Sequence, residues 1–149
     1  MPDFFEFLRR DLERISHSLG PGLLPTTFQV ANRTFVVGYT SLKETPGEKG
    51  ASTAEAELVE VGKGIAGGVS LILYTDKRLA HLDWASATQR RIGLGRAMVQ
   101  AVERDLKSRG YERIELLALP DSIPFWKRLG YQPEGKPDRD GGLEMSKRI

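Results

Sequence analysis

The first periodic run of apolar positions lies in the opening segment. Phe5, Leu8, Leu12, Ile15 and Leu19 recur three and four places apart, and Gly20-Pro21-Gly22 ends the run. This spacing predicts an amphipathic helix over residues 3–19. Its apolar face is expected to pack on the domain; a homodimer contact or a partner protein is the alternative use. The pattern then turns β-branched and aromatic. Thr26–Val30 and Arg33–Thr40 flank Ala31-Asn32 and predict a hairpin. Residues 42–54, with Pro46, Gly47, Gly50 and several small polar side chains, predict a flexible loop. Glu57–Val61, Val69–Thr75 and Leu79–Ala85 predict a three-strand meander. The nearly unbroken apolar run from Val69 to Tyr74 is what a central strand covered on both faces shows.

The clearest helical period comes later. Leu94, Ala97, Met98, Ala101, Val102 and Leu106 form one stripe. Glu103 with Lys107 and Asp105 with Arg109 are favourable pairs one turn apart, and Gly110 suits the helix end. Glu112–Leu119 predicts a strand. Ser122–Leu129 predicts a short helix capped by Asp121 and ended by Gly130, and Gly142–Lys147 a last strand. Antiparallel strands thus precede a strand–helix–strand–helix–strand unit. The expected fold is a single α/β (α+β) domain over 1–149, with a mixed, mostly antiparallel central sheet flanked by helices.

Composition narrows the chemistry. A chain of 149 residues supports one real core. A formal charge of +2 is too small to point to nucleic acid. The absence of cysteine excludes disulfides, thiolate metal sites and a cysteine nucleophile. With His17 and His81 the only histidines, a histidine-rich metal site is excluded, and no metal is expected. No apolar run approaches the roughly 20 residues of a membrane span. Nothing resembles a secretory leader, so no membrane association and a cytoplasmic location are expected.

The candidate chemistry gathers at Gln89-Arg90-Arg91-Ile92-Gly93-Leu94-Gly95-Arg96-Ala97. Two glycines sit between a predicted strand and the long helix. Small residues there let backbone N–H groups approach a ligand, and the helix start offers unpaired N–H groups and positive dipole charge to an anion. Arg90, Arg91 and Arg96 add forked donors suited to phosphate. The dinucleotide pattern G-x-G-x-x-G fails, because Met98 stands where its third glycine belongs. A P-loop fails too, for want of Gly-Lys-Ser/Thr.

Arg90-Arg91-Ile92-Gly93-Leu94-Gly95 resembles the Q/R-x-x-G-x-G/A signature of the GNAT superfamily of acyl-CoA-dependent N-acetyltransferases. Downstream, Ser122-Ile123-Pro124-Phe125-Trp126-Lys127-Arg128-Leu129-Gly130-Tyr131 is similar to that family's A-x-x-F-Y-x-x-x-G-F. The closing Leu143–Lys147 is similar to its last strand. The resemblance spans residues 55–149 and implies the GNAT-like acyl-CoA N-acyltransferase fold, with acetyl-CoA as co-substrate. By this resemblance, amides over Arg91, Ile92, Gly93, Leu94, Gly95 and Arg96 would hold the CoA pyrophosphate, and the side chains of Arg90, Arg91 and Arg96 would meet its phosphates. Backbone near Trp84 and Ala85 would bind the pantetheine arm, and Phe125 would flank the CoA. The strands carrying Trp84 and Glu115 would splay apart to admit the thioester.

N-acetyl transfer to a small-molecule or peptide amine needs a base to free the nitrogen lone pair. The resemblance sets Asp83 beside the thioester, as the first candidate base. Strand alternation groups His81 with Asp83 on one face and Leu82 with Trp84 on the other. His81 is the second candidate, since imidazole changes charge near neutral pH; Glu115 is a third. Trp126 departs from the family's usual tyrosine acid, and indole cannot replace it. Tyr131 or water would then protonate the thiolate, if anything does. The alternatives are a catalytically silent CoA-binding module and an interaction protein using the first helix.

Overall fold

The computed structural model describes residues 26–43, 52–87 and 93–149. The helix expected over 3–19, most of the expected loop, and Arg90, Arg91 and Ile92 lie outside the described residues. Eight strands form one sheet in the order β1-β2-β3-β4-β5-β6-β8-β7. They are β1 (Thr26–Val30), β2 (Arg33–Lys43), β3 (Ser52–Glu60), β4 (Gly64–Tyr74), β5 (Leu79–Ala87), β6 (Arg113–Ala118), β7 (Gln132–Pro133) and β8 (Leu143–Arg148). Every pairing is antiparallel except that of β5 with β6. Helix α1 (Leu94–Ser108) joins β5 to β6, and α2 (Ile123–Arg128) follows β6. A crossover helix between two parallel strands is the connection that parallel pairing demands.

The hairpin between β1 and β2 turns at Ala31 and Asn32, both with positive φ (52° and 62°). Such a turn matches the natural twist of the strands it joins. Arg33 then forks onto Glu60 of β3 at 2.5 and 2.8 Å, holding that carboxyl below its ordinary range. Five strands extend beyond their expected ends, among them β5, which runs to Ala87, and β8, which runs to Arg148. β2 continues to Lys43, β3 begins at Ser52, and β4 begins at Gly64. In β3, buried Ser52, Ala54 and Ala56 alternate with exposed Thr53 and Glu55. Small residues have low strand preference by themselves, but cross-strand packing carries them. Residues 42, 43 and 52–54, expected in the loop, are therefore strand. On β4, Val69, Leu71 and Leu73 are buried while Ser70, Ile72 and Tyr74 are only half-buried. The expectation of full cover on both faces therefore holds for one face only. That face shares the core cluster with α1.

Helix α1 seats Leu94, Met98, Val99, Ala101, Val102 and Leu106 in the core. Each large side chain buried there contributes about 1.5–3 kcal/mol. Gly110, at φ +95°, ends the helix, and Tyr111 N–H reaches back to the Leu106 carbonyl at 3.0 Å. Arg109 pairs with Asp105 at 3.1 Å, as its spacing predicts. Glu103 does not pair with Lys107 in the way expected. It lies on the inward stripe, buried, where it accepts the Tyr131 hydroxyl at 3.0 Å and faces Lys147 at 3.1 Å. A carboxylate taken out of water needs such partners. Burial and the Glu103 charge together hold the Tyr131 phenol well above its ordinary pKa.

Before α2 the chain makes a 3-10 turn over Pro120–Ser122. Asp121 does not cap the helix: no side-chain cap bond forms, Asp121 is exposed, and Ser122 Oγ donates to the Leu119 carbonyl at 2.9 Å. Pro120 and Pro124 restrict the chain locally, and the 3-10 turn takes up the start that Asp121 was expected to fix. Trp126 is buried edge-on between Phe125 (4.9 Å) and Tyr131 (5.2 Å).

Tyr131→Phe keeps the ring and removes the donor to Glu103. Its expected cost at pH 7 is about 1.5–3 kcal/mol. Because the folded phenol has a raised pKa, its contribution is complete below the roughly 10 of an unfolded tyrosine and fades as pH rises above it. Urea unfolding of both proteins at neutral and strongly alkaline pH checks this, with the gap between them expected to narrow at the higher pH.

Candidate functional site

The central feature is a fork between β5 and β6. Their parallel register runs Leu79↔Arg113, Ala80↔Ile114, His81↔Glu115 and Leu82↔Leu116, and stops there. β5 continues to Ala87 along β4, and β6 continues to Ala118 along β8. The two strands therefore follow different neighbours beyond Leu82 and Leu116. A bulge marks the divergence. On β4, Ser70 pairs with Trp84 and Leu71 with Leu82, so Asp83 is an extra residue in β5. An extra residue bends the strand and increases its twist. Beyond it, the edge of β5 that faced β6 has no ladder partner among the described residues, and such an edge can take an added extended chain.

The bulge also resets which side chains share a face. Simple alternation grouped His81 with Asp83, and Leu82 with Trp84. The observed register pairs His81 with Ile72 and Trp84 with Ser70, so His81 and Trp84 lie together on the face away from the core. Leu82, with Leu71, and Ala85, with Val69, lie on the core face with α1. Period-2 reasoning fails at a bulge because one position is used twice. Trp84 is 55% exposed, and its indole lies over Gly68, where an added Cβ would be 3.2 Å from the ring.

At the fork's apex, His81 Nδ1 stands 3.6 Å from Glu115 Oε1, both half-buried. Asp83 is exposed at the bulge itself. Sequence reasoning named all three carboxylate and imidazole candidates but not the pairing of His81 with Glu115. That pairing depends on the parallel register, which no local pattern encodes. Tyr131 is unsuited to protonating a leaving group here, because its hydroxyl is buried and donates to Glu103.

A short connection leads from Ala87, the last residue of β5, to the start of α1 at Leu94. Gly93 precedes the helix at φ +80°, a conformation glycine adopts without strain, and a Cβ there would meet nothing within 4 Å. Among the described residues no side chain caps the first amides and no acid lies in the first turn. Arg96 is exposed beside them, and Leu94 anchors the turn in the core. A Cβ on Gly95 would lie 3.5 Å from the Phe125 ring, so the short helix α2 packs directly on this turn. The result is an uncapped, uncrowded helix start with positive charge, which suits an anion. Among the described residues, no group of three His, Asp or Glu could hold a metal ion. No described helix is long and apolar enough to cross a membrane.

The model of the Acetyltransferase (GNAT) family matches residues 19–131. No curated protein matches the sequence. Among solved structures, an acetyltransferase from Bacillus cereus superposes with a TM-score of 0.59 at 21% identity, over 72% of this chain and 80% of that one. Tetrahymena GCN5 gives 0.59 at 18% identity, over 65% of this chain and 68% of that one. The PaiA N-acetyltransferase of Thermoplasma acidophilum, solved in complex with coenzyme A, gives 0.57 at 15% identity, over 65% of this chain and 61% of that one. These likenesses establish the fold. The family match spans most of the chain, and the chain belongs to the GNAT acetyltransferase family.

Gly68→Ala tests the seat of Trp84. The new methyl group would lie 3.1 Å from the Ala56 carbonyl and 3.2 Å from the indole. It is expected to cost about 1–3 kcal/mol of stability and to displace the ring. Thermal melts and tryptophan emission read the two effects.

Proposed function

We propose that this member of the GNAT acetyltransferase family moves an acetyl group from acetyl-CoA to a primary amine by direct attack at the thioester. The observation that carries the reading is the fork: β5 and β6 diverge just beyond the His81–Glu115 pair, and the free arm of β5 leads to the uncapped start of α1. In this reading the amides from Gly93 to Arg96 hold the pyrophosphate, and the side chains of Arg96, Arg90 and Arg91 and the Ile92 amide are further candidates to meet the phosphates. Backbone groups of Trp84 and Ala85, on the unpaired edge of β5, bind the pantetheine arm as an added strand would. Phe125 flanks it from α2.

Acetyl-CoA supplies the activated acyl group; the chain's own residues manage protons and charge. His81 takes the proton from the attacking amine, and Glu115 orients the imidazole and stabilises the cation that forms. Asp83, at the bulge, draws the ammonium toward the fork before it is deprotonated. A backbone N–H near Ala85 steadies the negative charge on the carbonyl oxygen. CoA thiolate leaves without a tyrosine acid, since Trp126 occupies that place and is packed in the core. The same tryptophan favours a second reading, a module that binds CoA without turnover. The proposed setting is the cytoplasm, in keeping with a cysteine-free sequence.

Calorimetric titration with acetyl-CoA is expected to give saturable binding; no heat at high micromolar ligand would sink the donor assignment. Gly93→Asn and Gly93→Asp both tolerate a left-handed backbone and differ mainly in charge. The aspartate variant should bind acetyl-CoA at least about tenfold more weakly, a loss of about 1.4 kcal/mol, and equal affinities would mean the cradle is misplaced. His81→Gln is expected to lower kcat by about 10²–10⁴ with acetyl-CoA affinity unchanged. A larger loss with Asp83→Asn would transfer the base role to Asp83. Steady thiol release with any amine would eliminate the silent module.

A further inference from the structure

Among the described residues four large apolar side chains stand in solvent: Ile65, Trp84, Leu117 and Leu119. Three of them belong to the fork. Trp84 is on the β5 arm, 55% exposed, and Leu117 is on the β6 arm, 51% exposed, with Leu119 just after β6 at 68%. Glu115 and Leu117 are two residues apart on β6 and share a face; their register partners on β8 are Ser146 and Glu144. His81 is the cross-strand partner of Glu115, and the bulge brings Trp84 onto the face of His81. Trp84 and Leu117 therefore flank the His81–Glu115 pair on one face, one on each arm. Helix α1, and with it the phosphate cradle, lies on the other.

We propose that the acceptor is a primary amine carried on an aromatic or branched-alkyl stem, with the nitrogen at the His81–Glu115 pair and the stem against Trp84 and Leu117. This rests on the acetyl-transfer reading above. Exposed apolar side chains grouped beside a polar centre mark a place where a ligand removes them from water. The indole is seated against Gly68 of β4 and is still 55% exposed, so part of the ring is open to a ligand. Ring faces attract both hydrocarbon and ammonium. The charged groups that the register places on or beside this face are Asp83, Glu115, Glu144, Glu55 and Glu57, with His81 between the arms, Arg113 occupied by Glu134 and Arg148 opposite Arg113. Their net negative charge favours a cationic head group, and the carboxylates nearest the apolar pair are Asp83 and Glu115. A polyamine or an amino sugar would lay polar groups on Trp84 and Leu117, where the two apolar side chains offer them no hydrogen-bond partner.

Two measurements on the full chain test this. In the first, protein saturated with CoA is titrated with 2-phenylethylamine or with ethanolamine while tryptophan emission is followed. The chain has two tryptophans, and Trp126 is buried, so Trp84 reports on the face. In the second, kcat/KM for the same amines is taken from thiol release with acetyl-CoA. 2-Phenylethylamine is expected to saturate the emission change and to exceed ethanolamine in kcat/KM by at least about tenfold. Leu117→Ser should narrow that ratio while acetyl-CoA affinity by calorimetry stays unchanged. Equal behaviour of the two amines, or a preference for ethanolamine or spermidine, overturns the inference and leaves the donor reading standing. A Leu117→Ser variant that weakens acetyl-CoA instead of the amine assigns the surface to the pantetheine arm and also overturns it. Saturable binding of 2-phenylethylamine without turnover supports the acceptor assignment and overturns catalysis. Failure of acetyl-CoA itself to bind removes the premise, and calorimetry reads that separately.

Discussion

Backbone hydrogen bonding between β5 and β6 stops at Leu82 and Leu116, and the rest of the site depends on that stop. A parallel pair at the centre of a sheet would ordinarily run on for as long as both strands last. Here β5 has five more residues and β6 has two. The extra residue at Asp83 turns the β5 arm aside while β4 keeps it paired on its other edge. The open edge is thus a rigid feature and not a frayed end, because each arm is held by an antiparallel neighbour.

The same bulge sorts the side chains of the β5 arm onto different sides. On the core side, Ala85 is small and the α1 start with its glycines lies at the end of the arm. On the outer side, Trp84, His81, Glu115 and Leu117 share one surface. A regular strand would have placed Trp84 beside Leu82 in the core. One inserted residue therefore supplies the gap and also turns an aromatic side chain outward.

The glycine turn at Gly93 and both described helices were readable because they rest on local rules. Glycines at a strand-to-helix turn, the apolar stripe from Leu94 to Leu106, and Gly110 and Gly130 at helix ends all act within a few residues. Strand extents were less readable, since Ala54, Ala56 and Gly64–Gly68 pair only because their neighbours do. The fork was expected through the family resemblance alone; its exact place, the face of Trp84, and the partners of His81 and Glu103 are set by the bulge and by register between segments far apart in sequence, which no local window contains. Glu103 is the clearest case. Its spacing to Lys107 was correct, yet its position on the inward stripe decided its partners. The expectation that Asp121 caps α2 failed for a smaller reason, the 3-10 turn that precedes the helix.

The buried Glu103 has a consequence for the order in which the molecule can be completed. The partners of its carboxylate, Tyr131 and Lys147, are synthesised 28 and 44 residues later. Setting the inward face of α1 against the sheet without Tyr131 and Lys147 would leave the Glu103 carboxylate among apolar side chains and without these two partners. Closure of that face, and with it the setting of the glycine turn at the start of the helix, is therefore tied to the strand that carries Lys147.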